Sequence, residues 1–394
     1  MEYRWPHLPP RYQGHEQANL TEALQSNVLW YLRKGGWASQ LAAKAQQMLG
    51  ARHVATTSSG SAAIHTALAA AGVGPGDEVI TSPVTDMGSV LGILWQNAVP
   101  VFADLDEQTY NMTAATIEAA ITPRTRAVEI VHLAGGPCDL DPILDLCQRR
   151  GIVVIEDCAQ AWGCRYRDRH VGTFGALGCF SFNDSKHLSC GDGGLVLTND
   201  EALYRRAHNL ADKFYDRLGT GDRLHALGIN YRMSELQAAV GHAQLDQLDA
   251  IARARHELGD YLTQGLLPIK GIHPHHVLPQ GYCSYWFYML RVDEAALGLS
   301  RDEVVKRLQS AGVPAGTGYL PRPLYAEPLF QTKRFFPGNV WPAELVHGQR
   351  YDYTQVRCPG AERILRTAIR LPIYQGLDRS HMDEVLHVLR GLRR

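Results

Sequence analysis

The chain has no apolar run approaching the roughly 18 residues that a membrane-spanning helix needs. Its N-terminus, MEYRWPHLPPRYQGHEQ, has no basic start leading into an apolar stretch, so neither export nor membrane insertion is expected. Charge of a single sign is also missing, because 39 basic side chains face 40 acidic ones for a formal net charge of −1. Without a basic run or face, nucleic acid and anionic membranes are not expected partners. The eight cysteines include no CxxC pair, and several sit in apolar runs where a free thiol behaves as a small core hydrophobe. A reducing, cytoplasmic location is expected. The 17 histidines are scattered, with no HExxH and no paired Cys/His spacing, so no metal site is expected. GxGxxG and GxxxxGK(S/T) are absent as well, which removes the dinucleotide and nucleoside-triphosphate fingerprints.

What is present is a globular composition, 45% apolar over 394 residues, long enough for two domains. From about residue 50 to 200, short β-rich runs alternate with helical spacing: VITSPV at 79–84, VPVFADL at 99–105, RAVEIVHLA at 126–134, GIVVIEDCA at 151–159, ALGCFSF at 176–182 and GGLVLTN at 193–199. This is an α/β pattern, and strands apolar throughout suit a mainly parallel sheet covered on both faces. The last two runs lie too close for an intervening helix and read as neighbouring strands joined by a loop. After residue 230 the texture becomes helical, one or two helices through about residue 266. A strand follows at 285–293, then a capped helix from Ser300 with Glu303 three residues on, and a terminal amphipathic helix from about Arg379 to Leu392. The stretch 319–359, rich in proline and aromatics, reads as a long loop. The expected division is residues 1–250, a large domain, and 251–394, a small one.

Three segments carry chemistry. In TTSSGSAAIHTALAAAG at 56–72, small hydroxyl residues and Gly60 precede an alanine-rich helix, a ready anion site at a helix N-terminus or an ordinary serine cap. Asp157 ends the apolar strand GIVVIEDCA, at the sheet edge where open α/β folds place ligands, or else caps the next helix; Glu156 points to the opposite face. Lys186 lies in CFSFNDSKHLSCGDGG at 179–194, between two buried strands, as a nucleophile with a lowered pKa or as a snorkelling surface residue. Together the three ask for a ligand with a phosphate, a basic ring nitrogen and a carbonyl. Pyridoxal 5′-phosphate has all three, with phosphate on Gly60, Ser61 and Ser181, ring nitrogen on Asp157 and aldehyde on Lys186.

SSGSAAIHTAL, GVGPGDEVITSPVT, IEDCAQAWG, VGTFGALGCFSFNDSKHLSCGDGGLVLTND and GINYRMSELQAAVGHAQL, in this order, resemble the DegT/DnrJ/EryC1/StrS sugar aminotransferase family of fold-type I pyridoxal-phosphate enzymes. The resemblance implies that Lys186 binds the cofactor as an imine, that Asp157 pairs with the ring nitrogen, and that Gln160 lies near the ring. It also implies that Asn230 reaches a neighbouring subunit's phosphate, in a homodimer with shared sites. The chain departs from the family pattern in three places. Asp86, then Met87, stand where an aromatic residue usually stacks on the cofactor, leaving Met87 or Trp162 as substitutes. Trp286 stands near a usual histidine. GTGYLPRPLY leaves Tyr319, Arg322 and Tyr325 as substrate-side candidates. Asp86 could face a substrate amino group or cap the next helix.

The function expected is amino transfer from glutamate or glutamine to a keto group of a sugar, nucleotide-sugar or cyclitol, with Lys186 moving the proton. Elimination or dehydration on the same fold is the alternative, although family members that dehydrate lack the lysine. A non-catalytic binding protein would have lost Lys186 or Asp157, and both are retained.

Overall fold

The computed structural model describes residues 5–6, 10–31, 35–219, 224 and 226–393. Its first segments are helices α1 (Glu16–Gln25) and α2 (Trp37–Leu49). The α/β pattern then appears as strands β1 (His53–Thr57), β2 (Glu78–Thr81), β3 (Val99–Phe102), β4 (Thr125–Val131) and β5 (Val153–Asp157). Between them run α3 (Gly60–Ala70), α4 (Met87–Trp95), α5 (Ala114–Ala120) and α6 (Leu140–Arg150). Two short strands, β6 (Arg165–Tyr166) and β7 (Arg169–His170), precede β8 (Leu177–Ser181) and β9 (Gly194–Thr198). Helices α7 (Glu201–Ala211), α8 (Glu235–Leu245) and α9 (Leu248–Leu266) follow.

The main sheet has the order β1-β9-β8-β5-β4-β2-β3. Strands β3, β2, β4, β5 and β8 pair in parallel, and β9 runs against both β8 and β1. The antiparallel β8–β9 pair is the one read from the short spacing between the last two apolar runs. Strand β1 has a weak sequence signal, since HVATT at the sheet's edge holds only two apolar residues. Both faces are covered. Ala63, Ile64, Ala67 and Leu68 of α3 pack on Val79, Ile155, Leu177 and Val196, while Leu41 and Ala45 of α2 and Ala238 and Ala239 of α8 join the cluster on Val128, Ile130, Phe180 and Leu195. Small side chains along α3 let it lie close to the sheet, and nine of its eleven residues are buried.

The C-terminal part builds a second sheet, order β10-β12-β14-β13, from β10 (Ile272–His273), β12 (Phe287–Val292), β13 (Gly316–Thr317) and β14 (Ala368–Pro372); β11 (Gly281–Tyr282) joins β6 and β7 instead. Ser300 caps the helix Arg301–Ser310 with Glu303 closing a capping box, and the terminal helix spans Arg379–Arg390. The stretch 319–359 differs from the expected loop. It holds short helical turns, two of them α-helical, at Pro328–Thr332 and Pro342–His347, each with proline in its first turn. Phe330, Phe335, Trp341 and Tyr353 pack edge to face there, with Phe330 and Tyr353 also against Phe102. Turns of five or six residues are too short to show a helical period, and aromatic contacts hold them in place.

Candidate active site

At the carboxyl ends of β5 and β8 lies a cavity of about 220 Å³. Its lining joins parts far apart in sequence: Ser59, Gly60 and Ser61 from the start of α3, Asp86 and Ser89 from α4, Asp157 and Gln160 after β5, and Ser181 and Lys186 from the β8–β9 connection, with Trp286 closing one side. Open α/β sheets place ligands at this edge because the strand ends and helix N-termini converge there.

The anion-binding end is built by close approach. Ser59 caps α3, its side chain accepting from the Ala62 amide at 3.1 Å. A Cβ on Gly60 would stand 2.6 Å from Ser181 Cβ, so only glycine lets α3 begin against β8. Ser181 Oγ in turn accepts from the Asn183 amide at 3.2 Å. Amides at a helix start, with hydroxyls beside them, form a cradle suited to a phosphate.

Asp157 is 3% exposed and held at both oxygens, Oδ1 accepting from the Ala159 amide at 2.9 Å and Oδ2 from Ser89 Oγ at 2.7 Å. Ser89 Oγ lies 2.7 Å from Thr85 Oγ1, so a two-hydroxyl chain orients the carboxylate. Burial raises its pKa, against the hydrogen bonds from Ser89 and Ala159 and the charge of Lys186. Lys186 is 8% exposed and its Nζ sits 3.7 Å from the centre of the Trp286 ring. Burial lowers its pKa, with Asp157 and Asp86 opposing. Burial thus acts against the charged form of each group, while the opposite charge of the other works to retain it.

Glu156 does point away from the cavity, as the strand period requires. It accepts from the amides of Gly172, Phe174 and Gly175 and meets His132 Nε2 at 3.1 Å. Burial works to raise its pKa, but the bond to His132 and the Gly175 and Gly172 amides outweigh it and hold the acid low. His132, Glu156 and Cys158 offer ligand atoms within 4.8 Å of one another, yet these contacts, with His132 Nδ1 accepting from the Cys138 amide at 3.1 Å, already engage both the carboxylate and the imidazole. The carboxylate is thereby a brace for the loop that leads into β8.

The other candidates divide. Gln160 is fixed by the Ala134 amide on Oε1 at 2.9 Å and reaches Tyr319 OH at 3.5 Å. Tyr319 stacks on Phe287 and meets Trp286 edge-on, behind the cavity wall. Asp86 both lines the cavity and caps α4, accepting from the Gly88 amide at 2.8 Å. Trp162 is no substitute for a ring stack, because it is buried beneath β8 with its indole N–H on the Ser181 carbonyl at 2.7 Å. Met87 packs into the core as a partly buried residue and does not line the cavity. Arg322 is exposed, 3.6 Å from Glu327, and does not line this cavity. Tyr325 is buried elsewhere, donating to Glu362 at 2.7 Å. Asn230 is exposed and bridges Asp212, away from this chain's own cavity. Ser59 is the serine cap that the sequence offered, whereas Ser89, Thr85 and Asn183 were not read from it. Thr85 precedes the cap of α4 and Ser89 lies in its first turn, so no helical spacing links the two in the sequence.

A buried lysine, a buried carboxylate and a glycine-built anion cradle in one cavity fit pyridoxal phosphate, and the fold around them is that of fold-type I pyridoxal-phosphate enzymes. A family model described as the DegT/DnrJ/EryC1/StrS aminotransferase family matches residues 10–390. The spore coat polysaccharide biosynthesis protein SpsC of Bacillus subtilis (strain 168) is 32% identical, with 98% of this chain and 96% of that protein covered. GDP-perosamine synthase of Escherichia coli O157:H7 is 33% identical over 98% and 97% of the two chains. The crystal structure of an aminotransferase from Psychrobacter cryohalolentis superposes with a TM-score of 0.86 at 27% identity, covering 98% of both chains. The chain is a pyridoxal-phosphate-dependent aminotransferase. It belongs to the DegT/DnrJ/EryC1/StrS aminotransferase family.

Proposed function

We propose that this enzyme moves an amino group from glutamate or glutamine to a keto group of a sugar, nucleotide-sugar or cyclitol, with Lys186 as the attachment and proton-transfer residue. The observation that carries this reading is the Lys186–Asp157 pair, buried in one cavity with the α3 cradle. The relatives' names, which include a GDP-perosamine synthase and a polysaccharide biosynthesis protein, support a sugar acceptor.

When bound, the cofactor supplies an aldehyde that can carry nitrogen and a ring that can take up electrons from the reacting carbon. The remaining work falls to the chain. Amides at the start of α3, with Ser181, hold the phosphate, and Asp157, aligned by Ser89, keeps a proton at the ring nitrogen. Lys186 Nζ, biased toward the free amine by burial, would take the proton from the donor's α-carbon and, in the second half-reaction, would deliver one to the acceptor carbon that gains the nitrogen. Trp286 walls the cavity on one side, backed edge-on by Tyr319.

We further propose a homodimer in which Asn230 completes the partner's site, supported by its exposed position outside its own cavity and by the exposed apolar side chains of Leu227 and Ile229 beside it. The division near residue 250 and action in the cytoplasm complete the proposal; the seven-stranded sheet, which lies wholly before residue 250, the four-stranded sheet, which lies wholly after it, and eight unpaired cysteines support them. Among the described residues, no helix is long and apolar enough to cross a membrane. The test of function is to add glutamate, glutamine and alanine to the holoenzyme while following its visible absorbance. The true donor should bleach the lysine-bound form, and failure of every amino donor to do so would sink the assignment.

A further inference from the structure

The amine of Lys186 rests on an aromatic face. Its Nζ lies 3.7 Å from the centre of the Trp286 ring and, among the described residues, makes no ion pair and no hydrogen bond. A cation within about 6 Å of an indole face is attracted by the ring's negative π cloud, and the attraction grows as water is removed. Little water reaches this amine, because the lysine is 8% exposed.

The ring is fixed from several directions. Indole Nε1 donates to the Ser185 carbonyl at 2.7 Å, the Trp286 amide donates to the Ala134 carbonyl at 2.9 Å, and the Trp286 carbonyl accepts from Arg255 Nη1 at 3.2 Å. Tyr319 meets the ring edge-on with centroids 5.8 Å apart, and Phe287 is tilted against it at 5.1 Å. The bond to Ser185 ties the ring to the residue just before the lysine. A side chain from the segment leading into β12 thus covers a lysine of the β8–β9 connection.

The charged and titratable groups around the amine are Asp157 at the end of β5, Asp86 at the cap of α4, Asp192 on the β8–β9 connection, the adjacent His187, and Arg11, which donates to the Lys186 carbonyl at 2.8 Å. His187 is buried, with Nε2 3.1 Å from the Ser284 carbonyl, and burial keeps its ring neutral. Burial also pulls Lys186 toward the free amine, while Asp157 and Asp86 pull it toward the ammonium. A direct ion pair with Asp157 could hold a released amine, but it would occupy the carboxylate that the ring nitrogen needs. A ring face attracts the cation without a directional bond and leaves Asp157 free.

We propose that Trp286 is a positioning residue for Lys186, its ring face holding the ammonium form of the amine in place whenever the amine is free of the cofactor. The role rests on the reading of Lys186 as the attachment and proton-transfer residue. During turnover the amine is released, takes up a proton and has to return. The indole keeps it at the site throughout.

The test measures how the reactivity of Lys186 toward a small amine-acylating reagent depends on pH, read by peptide mass mapping. It is run on the full-length chain stripped of cofactor and on the holoenzyme treated with donor, for wild type, Trp286→Phe and Trp286→Leu. Both variants lose the indole N–H, so the difference between them isolates the ring face. The labelling midpoint should be highest in wild type, lower in Trp286→Phe and lowest in Trp286→Leu. The full fall should be about one pH unit, or about tenfold in amine fraction below the midpoint. A ring that only excluded water would give the opposite sign, because admitted water favours the charged form. In the wild-type chain, tryptophan fluorescence should change through the same midpoint, and Lys186→Met should abolish that change, a measurement that needs no substitution at Trp286. A Trp286→Leu midpoint at or above that of wild type, coincident midpoints for the two variants, or fluorescence that ignores Lys186 overturns the contact. The predicted order in the stripped chain, lost in the donor-treated holoenzyme, overturns the holding role. Equal labelling of Lys186 in the holoenzyme with and without donor makes the attachment reading the part that fails, while the order in the stripped chain still decides the contact.

Discussion

At the scale of single residues, Glu129 bears an electrostatic cost near the site. It lies on β4, fully buried, with both carboxylate oxygens unpartnered. Burial, and then the charge of Asp157, hold its pKa well above the ordinary carboxylate value. In the unfolded chain it would titrate near that ordinary value, so the folded chain keeps a proton that the unfolded chain has released. Stability is therefore lost as pH rises from the ordinary value toward the folded one. Glu129→Gln should raise the melting temperature, and by more at pH 8 than at pH 5; Glu129→Leu should stabilise by about 1–3 kcal/mol by removing the unsatisfied group. Thermal melts at the two pH values check this, and a stabilisation that does not change with pH would contradict it. Single residues also show the limits of sequence reading. Lys186, Asp157 and Ser181 were legible because an ionisable or hydroxyl group at the end of an apolar strand is conspicuous. Ser89 and Thr85 were not, because their role arises only where α4 meets β5.

Among the elements, strands buried on both faces could be read as apolar runs, and the capping box at Ser300 marked its helix. Edge strand β1 and the turns between 319 and 359 were not legible, because tertiary contacts decide them: pairing with β9 in one case, a cluster of aromatic rings in the other. Arg322, in the bend before the turn Leu324–Ala326, is exposed, a placement that its neighbours in sequence do not reveal. The junction of α3 with β8 is the element-scale feature on which the cofactor cradle depends. Gly60→Ala would push a methyl group into Ser181, with both the Cβ and Oγ under 3.0 Å away, at 2.6 and 2.8 Å. The expected outcome is a loss of about 1–3 kcal/mol in stability together with weaker cofactor retention. Thermal melts and dialysis of the holoenzyme measure the two effects, and wild-type behaviour in both would show that α3 can shift away without consequence.

For the whole molecule, the near-zero net charge fits an enzyme whose ligand charges are met locally, by helix amides, Asp157 and Lys186. The shared-site proposal makes the functional unit larger than the 43.7 kDa chain. Sedimentation should give twice that mass, and Asn230→Ala should weaken cofactor retention without changing it; a fully active monomer would contradict both parts. The most direct test of the account is borohydride reduction of the holoenzyme followed by peptide mass mapping, before and after addition of the amino donor. The account predicts the cofactor fixed to Lys186 before the donor is added and no label there after the donor has converted the cofactor to its amine form. A label on any other lysine, or an unchanged label on Lys186 after full exposure to the donor, would contradict it.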